Sequence, residues 1–172
     1  MLKKIISGGQ TGADIGALKA AKALGLQTGG WLPKGCLTLE GPNPQLLELY
    51  DMCEHSSSYY PRRTYANVHD SQGTIRFALK FTSPGERCTH KAIKYHNRPY
   101  LDVDITKPRP VRDVTAWITE HGIECLNVAG NSESTAPGIE VFVTDYMTRV
   151  IRESVTLFDM NTMDESRNDE VT

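Results

Sequence analysis

The sequence predicts an α/β fold: a doubly wound, three-layer, mostly parallel sheet of about five to seven strands. Three observations predict it. Short apolar or alternating runs of strand length recur, at Ile5-Ile6, Gly73–Leu79, Tyr100–Ile105 and Cys125–Ala129. Segments with helical spacing stand between or after them. Three of the runs end in polar, glycine-bearing turns that open onto helices, at Ser7–Gly12, Thr82–Thr89 and Gly130–Ala136. Strand, glycine turn and helix in that order is the repeating unit of a Rossmann-like sheet.

The first helix carries Ala13, Ala17, Leu18, Ala21 and Leu24 on one face, and Gly25 suits its C-terminal cap. A short second strand ends at Gly29-Gly30, beside Trp31, which reads as a core or interface residue. A long irregular connection follows through Lys34-Gly35 and Gly41–Pro44 to Tyr60-Pro61, and connections of that length in a small domain are often functional. Arg62–His69 reads as a short helix and Arg87–His96 as a weakly patterned one. Pro108–Pro110 punctuates before a helix with Val111, Val114, Trp117 and Ile118 on one face, stopped at Gly122. The last helix, after Pro137, has the strongest period: Ile139, Phe142, Val143, Tyr146, Met147, Val150 and Ile151.

The 172 residues fit one domain, expected over residues 1–156. A hydrophobic content of 39% with 23% charged residues is ordinary for a soluble globular chain, and no apolar run reaches membrane-spanning length. The formal net charge of −2 gives no reason to expect nucleic acid or a membrane as partner. Residues 157–172 hold five acids against one arginine and read as an acidic, flexible tail. Cys36, Cys53, Cys88 and Cys125 have no metal-knuckle or C-x-x-C spacing, and no signal peptide is evident. Reduced thiols, a cytoplasmic location and no structural metal are therefore expected.

The turns carry the chemistry. Gly8, Gly9 and Gly12 lack a Cβ and let backbone or ligand come close. A helix start favours an anion through its free N–H groups and dipole. Gln10, Thr11 and Asp14 add side-chain donors and acceptors. In an open parallel sheet such turns collect at the carboxyl edge, so three of them point to one phosphate-bearing ligand. The alternative for each turn alone is a tight connection without a ligand. His55, His69, His90, His96 and His121 show no metal spacing, and Cys88 at a helix start reads as a small packing residue or a thiol of lowered pKa. Arg62-Arg63 reads equally as a phosphate clamp and as a solvated helix face.

Ile5–Asp14 (IISGGQTGAD) and Gly29–Gly35 (GGWLPKG) closely resemble the molybdenum cofactor carrier family of the SLOG superfamily of Rossmann-like nucleotide-binding domains. Arg63-Thr64 with Asn67-Val68, Asp70-Ser71 with Gly73-Thr74, Ser83–Gly85 with Thr89, and Leu126–Gly130 with Glu133-Ser134 and Pro137–Ile139 extend the match, in order, to about Val150. The resemblance implies a homo-oligomer, dimer or tetramer, that binds a phosphorylated small molecule without consuming it. The molybdenum cofactor (molybdopterin) or a nucleotide-like ligand would be that molecule. It places Gly8, Gly9, Gln10, Thr11 and Gly12 in a first phosphate loop, with Asp14 beside it. Ser83, Gly85 and Thr89 would form a second, and Gly130, Asn131 and Ser134 would complete the pocket. Lys34 would stand at its rim, and Arg63 and Asn67 belong to the same candidate set. The family pattern often has arginine where this chain has Ile15 and Cys36, and aspartate where Gln72 stands. Loss of two cations would retune the pocket, which motivates a second reading: sensing or sequestration of a nucleotide-derived signal, such as a cyclic nucleotide or an ADP-ribose derivative.

A hydrolase is the third reading. A branch of the superfamily cleaves nucleoside monophosphates with a P-G-G-x-G-T-x-x-E element. Pro84, Gly85 and Thr89 match it, but Ala92 stands at the glutamate position and cannot move a proton. Glu86 and Glu133 are nearby carboxylates that could serve instead, although carboxylates at helix starts are usually there for the dipole.

Overall fold

The protein is described by a computed structural model covering residues 1–168, with side chains through residue 156. The chain runs β1 (Lys4–Ser7), α1 (Ala13–Ala23), β2 (Gln27–Gly29), β3 (Trp31–Leu32), β4 (Leu37–Thr38), β5 (Gly41–Pro42), α2 (Gln45–Leu49) and β6 (Cys53–Glu54). It continues through α3 (Tyr60–His69), β7 (Gly73–Ala78), α4 (Pro84–His96), β8 (Tyr100–Asp104), α5 (Val111–Glu120), β9 (Cys125–Gly130) and α6 (Ile139–Asn168). The main sheet has five strands in the order β2-β1-β9-β7-β8, and every pairing in it is parallel. The fold is thus the three-layer α/β arrangement expected.

Strand alternation decides what each face of the sheet carries. Ile5, Ile75, Phe77, Val103, Leu126 and Val128 join one core with Ala17, Ala21, Val114, Ile118, Val143, Met147 and Val150, from helices α1, α5 and α6. The intervening residues Thr74, Arg76, Asp102 and Asn127 face the other way, where Asn127 Nδ2 donates to Thr74 Oγ1 (3.2 Å) and Arg76 Nη1 donates to the Glu86 carbonyl (3.1 Å). There α3 and α4 pack through Val68, Ala92 and Ile93. One side of the sheet is mainly apolar, and the other encloses buried polar groups.

The long connection is not structureless. It folds as β3 to β6 with α2, around a satellite cluster of Leu18, Leu32, Cys36, Leu46, Tyr50 and Met52. Ile15 packs against that cluster. Trp31 is clasped by Asn67, whose Oδ1 accepts from the Trp31 amide at 2.8 Å, and its indole donates to Asp70 at 2.7 Å. The backbone of α6 is helical through Asn168, within the stretch read as an acidic tail; residues 169–172 lie outside the described residues.

Gly130 ends β9 where its neighbours leave no room. A Cβ there would overlap the Phe77 carbonyl and crowd the Ala13 methyl. Gly130→Ala should therefore lower stability by about 1–3 kcal/mol. This would be read as a lower urea midpoint with an unchanged m-value; an unchanged midpoint would show that the strand end has slack.

Candidate functional site

The carboxyl ends of β1, β9 and β7 are adjacent in the sheet, so the turns that follow them meet. They enclose a cavity of about 340 Å³, within the range of small-molecule sites. Gln10 and Asp14 line it from the first turn, Ser83, Gly85, Glu86 and Thr89 from the second, and Gly130, Asn131 and Ser132 from the third. Helix α3 adds Tyr60, Arg63 and Thr64.

The first turn is folded around its own carboxylate. The Gly8 and Gln10 amides donate to Asp14, the latter at 3.3 Å, and the Gly9 amide donates to Ser7 Oγ at 3.2 Å. Gly8 is required because Arg63 lies across it: a Cβ would overlap Arg63 Nη1 and crowd Asp14 Oδ2. Gln10 reaches outward, donating to the Leu37 carbonyl (3.3 Å) and accepting from the Leu39 amide (3.0 Å). That pins the β4–β5 hairpin, and Leu39, over the cavity mouth.

Arg63 is buried, at 6% exposure. Its Nη1 stands 3.7 Å from Asp14 Oδ2 and its guanidinium carbon 4.0 Å from the centre of the Tyr60 ring. Its Nε has no hydrogen-bond partner. A buried guanidinium with an unused donor is costly unless something accepts from it. Beneath the second turn, Arg76 is gripped by Asp102, with Nε and Nη2 donating at 2.8 and 2.6 Å. Its Nη1 is also 3.6 Å from Glu86 Oε2. Glu86 is 2% exposed; its Oε1 is 3.5 Å from Asn131 Nδ2 and its Oε2 accepts no hydrogen bond. Asn131 is itself fixed, its Oδ1 accepting from the Leu79 amide at 2.9 Å.

Burial pushes Asp14 up to about 6, against the pull of Arg63 and of the Gln10 and Gly8 amides. Burial likewise pushes Glu86 up to about 7; Arg76 opposes this, while Asp14 and Asp102 add to it. Two buried carboxyl groups raised in one cleft make it the candidate functional site.

A family model, the circularly permutated YpsA SLOG family, matches residues 5–151. The chain belongs to that family. The SLOG assignment agrees with the sheet order and with turns meeting at the carboxyl edge. No curated protein matches the chain. Among solved structures it is similar to one named as a molybdenum carrier protein, from Syntrophus aciditrophicus SB. The two are 34% identical with a TM-score of 0.78, over 87% of this chain and 94% of that one.

Of the candidate residues in this SLOG chain, Gln10, Asp14, Arg63, Ser83, Gly85, Thr89, Gly130 and Asn131 line the cavity. Gly8, Gly9, Thr11 and Gly12 lie behind it as scaffold; the Thr11 carbonyl, for example, accepts from the Glu133 amide at 3.2 Å. Lys34 is exposed in the connection and its amide donates to the Ser57 carbonyl (3.0 Å), away from the cavity rim. Asn67 holds Trp31, and the Ser134 hydroxyl pairs with Ser132 at 3.0 Å; neither lines the cavity. Ile15 and Cys36, where the family often has arginine, belong to the satellite cluster, and Gln72 binds the Glu124 and Cys125 amides. None of the three lines the cavity.

Glu133 closes the start of α6, its carboxylate accepting from the Gly138 amide at 2.5 Å and the Glu140 amide at 3.0 Å. Glu86 is the carboxylate left facing the site. Burial raises the Cys88 thiol rather than lowering it. Tyr60, Thr64, Ser132 and Thr135 are lining residues that no spacing in the sequence marks. Among the described residues no three His, Cys, Asp or Glu groups are placed to hold a metal.

Asp14 and Glu86 bind protons more tightly folded than unfolded, so their contribution to stability is full below their ordinary values of 3.8 and 4.5. It is lost as pH rises through about 6 and about 7. His96, held low by burial, acts oppositely in the same window. The difference between wild type and Glu86→Gln isolates the glutamate: the melting temperature of the wild type should fall relative to the variant between pH 5.5 and pH 8. Parallel curves would show that Glu86 titrates as if exposed.

Proposed function

We propose that the protein binds a phosphorylated small molecule in the cavity shared by the three turns and holds it without chemical change. The observation that carries this reading is Arg63: a buried guanidinium, stacked on Tyr60, that lines a cleft also receiving the start of α4. Both features favour an anion. The volume of about 340 Å³ leaves room for an organic portion beyond one phosphate. Hydroxyls of Ser83, Thr64, Thr89, Ser132 and Thr135 supply neutral partners for it.

The name of the solved neighbour makes the molybdenum cofactor the first candidate cargo, and its terminal phosphate would meet Arg63 and the α4 start. A nucleotide-derived signal is the second candidate, because the same anion seat accepts either molecule. The absence of a carboxylate at Ala92 supports storage or carriage over glycosidic cleavage. A homo-oligomer in the cytoplasm is the setting this reading assumes.

Native mass spectrometry of freshly purified protein should show a co-purifying phosphorylated molecule, and its mass separates pterin from nucleotide. Arg63→Ala should weaken the binding of that molecule roughly 10- to 150-fold, the worth of a charge-assisted hydrogen bond of about 1.5–3 kcal/mol. Arg63→Lys should recover only part of it. Unchanged affinity in a folded Arg63→Ala protein would remove Arg63 as the anchor, and turnover of the bound molecule would replace carriage with catalysis.

A further inference from the structure

An anion drawn to Arg63 and the α4 start meets a carboxyl group that has acceptors to spare. Glu86 sits at the third residue of α4, a 13-residue helix, and lines the cavity. Its amide is already capped by Ser83 Oγ at 3.2 Å, so its side chain is not needed for capping. Arg76 is shared between two carboxylates: Asp102 takes its Nε and Nη2, while its Nη1 donates to the Glu86 carbonyl and stands within ion-pair distance of the Glu86 carboxylate. Oε2 is left with no hydrogen bond, 3.6 Å from Arg76 Nη1.

The groups that act on Glu86 come from several elements: Arg76 from β7, Asp14 from α1, Asp102 from β8 and Asn131 from the third turn, with Arg63 and Tyr60 of α3 lining the same cavity. Arg63 pairs with Asp14, and Arg76 is shared by Asp102 and Glu86, so three carboxyl groups are served by two guanidiniums. A bare dianion and an ionised Glu86 cannot share this space, whereas a proton placed between them turns repulsion into a strong hydrogen bond.

We propose that the cavity takes its phosphate together with one proton, held between a phosphate oxygen and the Glu86 carboxyl, so that Glu86 selects anions able to carry or acquire that proton. This inference rests on the binding reading above and sharpens it. Inorganic phosphate keeps a P–OH throughout the neutral and mildly alkaline range and brings its own proton. A phosphomonoester loses its last proton near pH 6, so above that it takes one up on binding. Sulfate has none in this range and must rely on a protonated Glu86. The placement of Glu86 near neutrality, at about 7, makes the exchange accessible.

The test is isothermal titration of the wild type with inorganic phosphate and with sulfate at pH 6 and pH 8.5, and with adenosine monophosphate as an organic monoester. Phosphate affinity should not fall between pH 6 and pH 8.5, because the proton the complex needs comes with the anion. Sulfate and monoester affinity should fall about tenfold per pH unit above pH 7, the linkage slope of one proton. Repeating the sulfate titration at pH 8 in buffers of different ionisation enthalpy should report uptake of about one proton per anion. This measurement needs no variant. Glu86→Gln, which donates without a proton, should bind sulfate with no pH slope.

A flat sulfate profile in the wild type, zero proton uptake, or a slope that persists in Glu86→Gln would overturn the role of Glu86 while leaving anion binding intact. Failure of all three probes to bind at either pH would instead remove the anion seat, and both readings with it.

Discussion

Everything at the site follows from where β9 lies. The last strand of the sheet pairs with β1 through Lys4–Ser7 on one side and with β7 through Gly73–Phe77 on the other, both in parallel. Parallel pairing points all three carboxyl ends the same way, and adjacency brings their turns within reach of one small molecule. The close fit this demands is visible at Gly130, where any side chain would strike the neighbouring strand. It is visible again where the Asn131 amide donates to the Phe77 carbonyl at 2.9 Å and its carbonyl accepts from the Ala13 amide at 3.1 Å. One residue thus stitches the third turn to the other two.

The second determinant is the two-residue period of β7. Ile75 and Phe77 complete the apolar core, and the same alternation sends Arg76 to the opposite face, beneath α4. A buried arginine there requires acceptors, and Asp102 and Glu86 provide them from β8 and α4. The polar floor of the cavity is therefore a product of the pleat. It also explains why Glu86 remains buried at the mouth of a helix instead of turning out to solvent.

Much of this was legible in the residues. The strand and helix order, the three turns and the last helix come from periodicity and glycine placement, and these signals are local. The family likeness added the relative order of the matches, and the 34%-identical solved neighbour bears out the fold. What stayed hidden depends on distance in sequence. Arg62-Arg63 reads equally as a clamp and as a solvated face until Gly8, 55 positions before Arg63, is seen to make room for it. Tyr60 and Thr64 reach the cavity only because α3 packs on α4. Lys34 and Asn67 have the chemistry of ligand contacts, but the β3–β6 excursion turns the first outward and uses the second to hold Trp31.

The central position of the latest strand also governs how the molecule is made. A growing chain that has emerged only as far as α5 possesses β1 and β7 but not the element that joins them, so each presents an open strand edge. No partial product can own the cleft, since its third wall is synthesised last. Assembly of the cleft accordingly waits for the last strand, and a chain ending before Gly130 has exposed strand edges in place of that cleft.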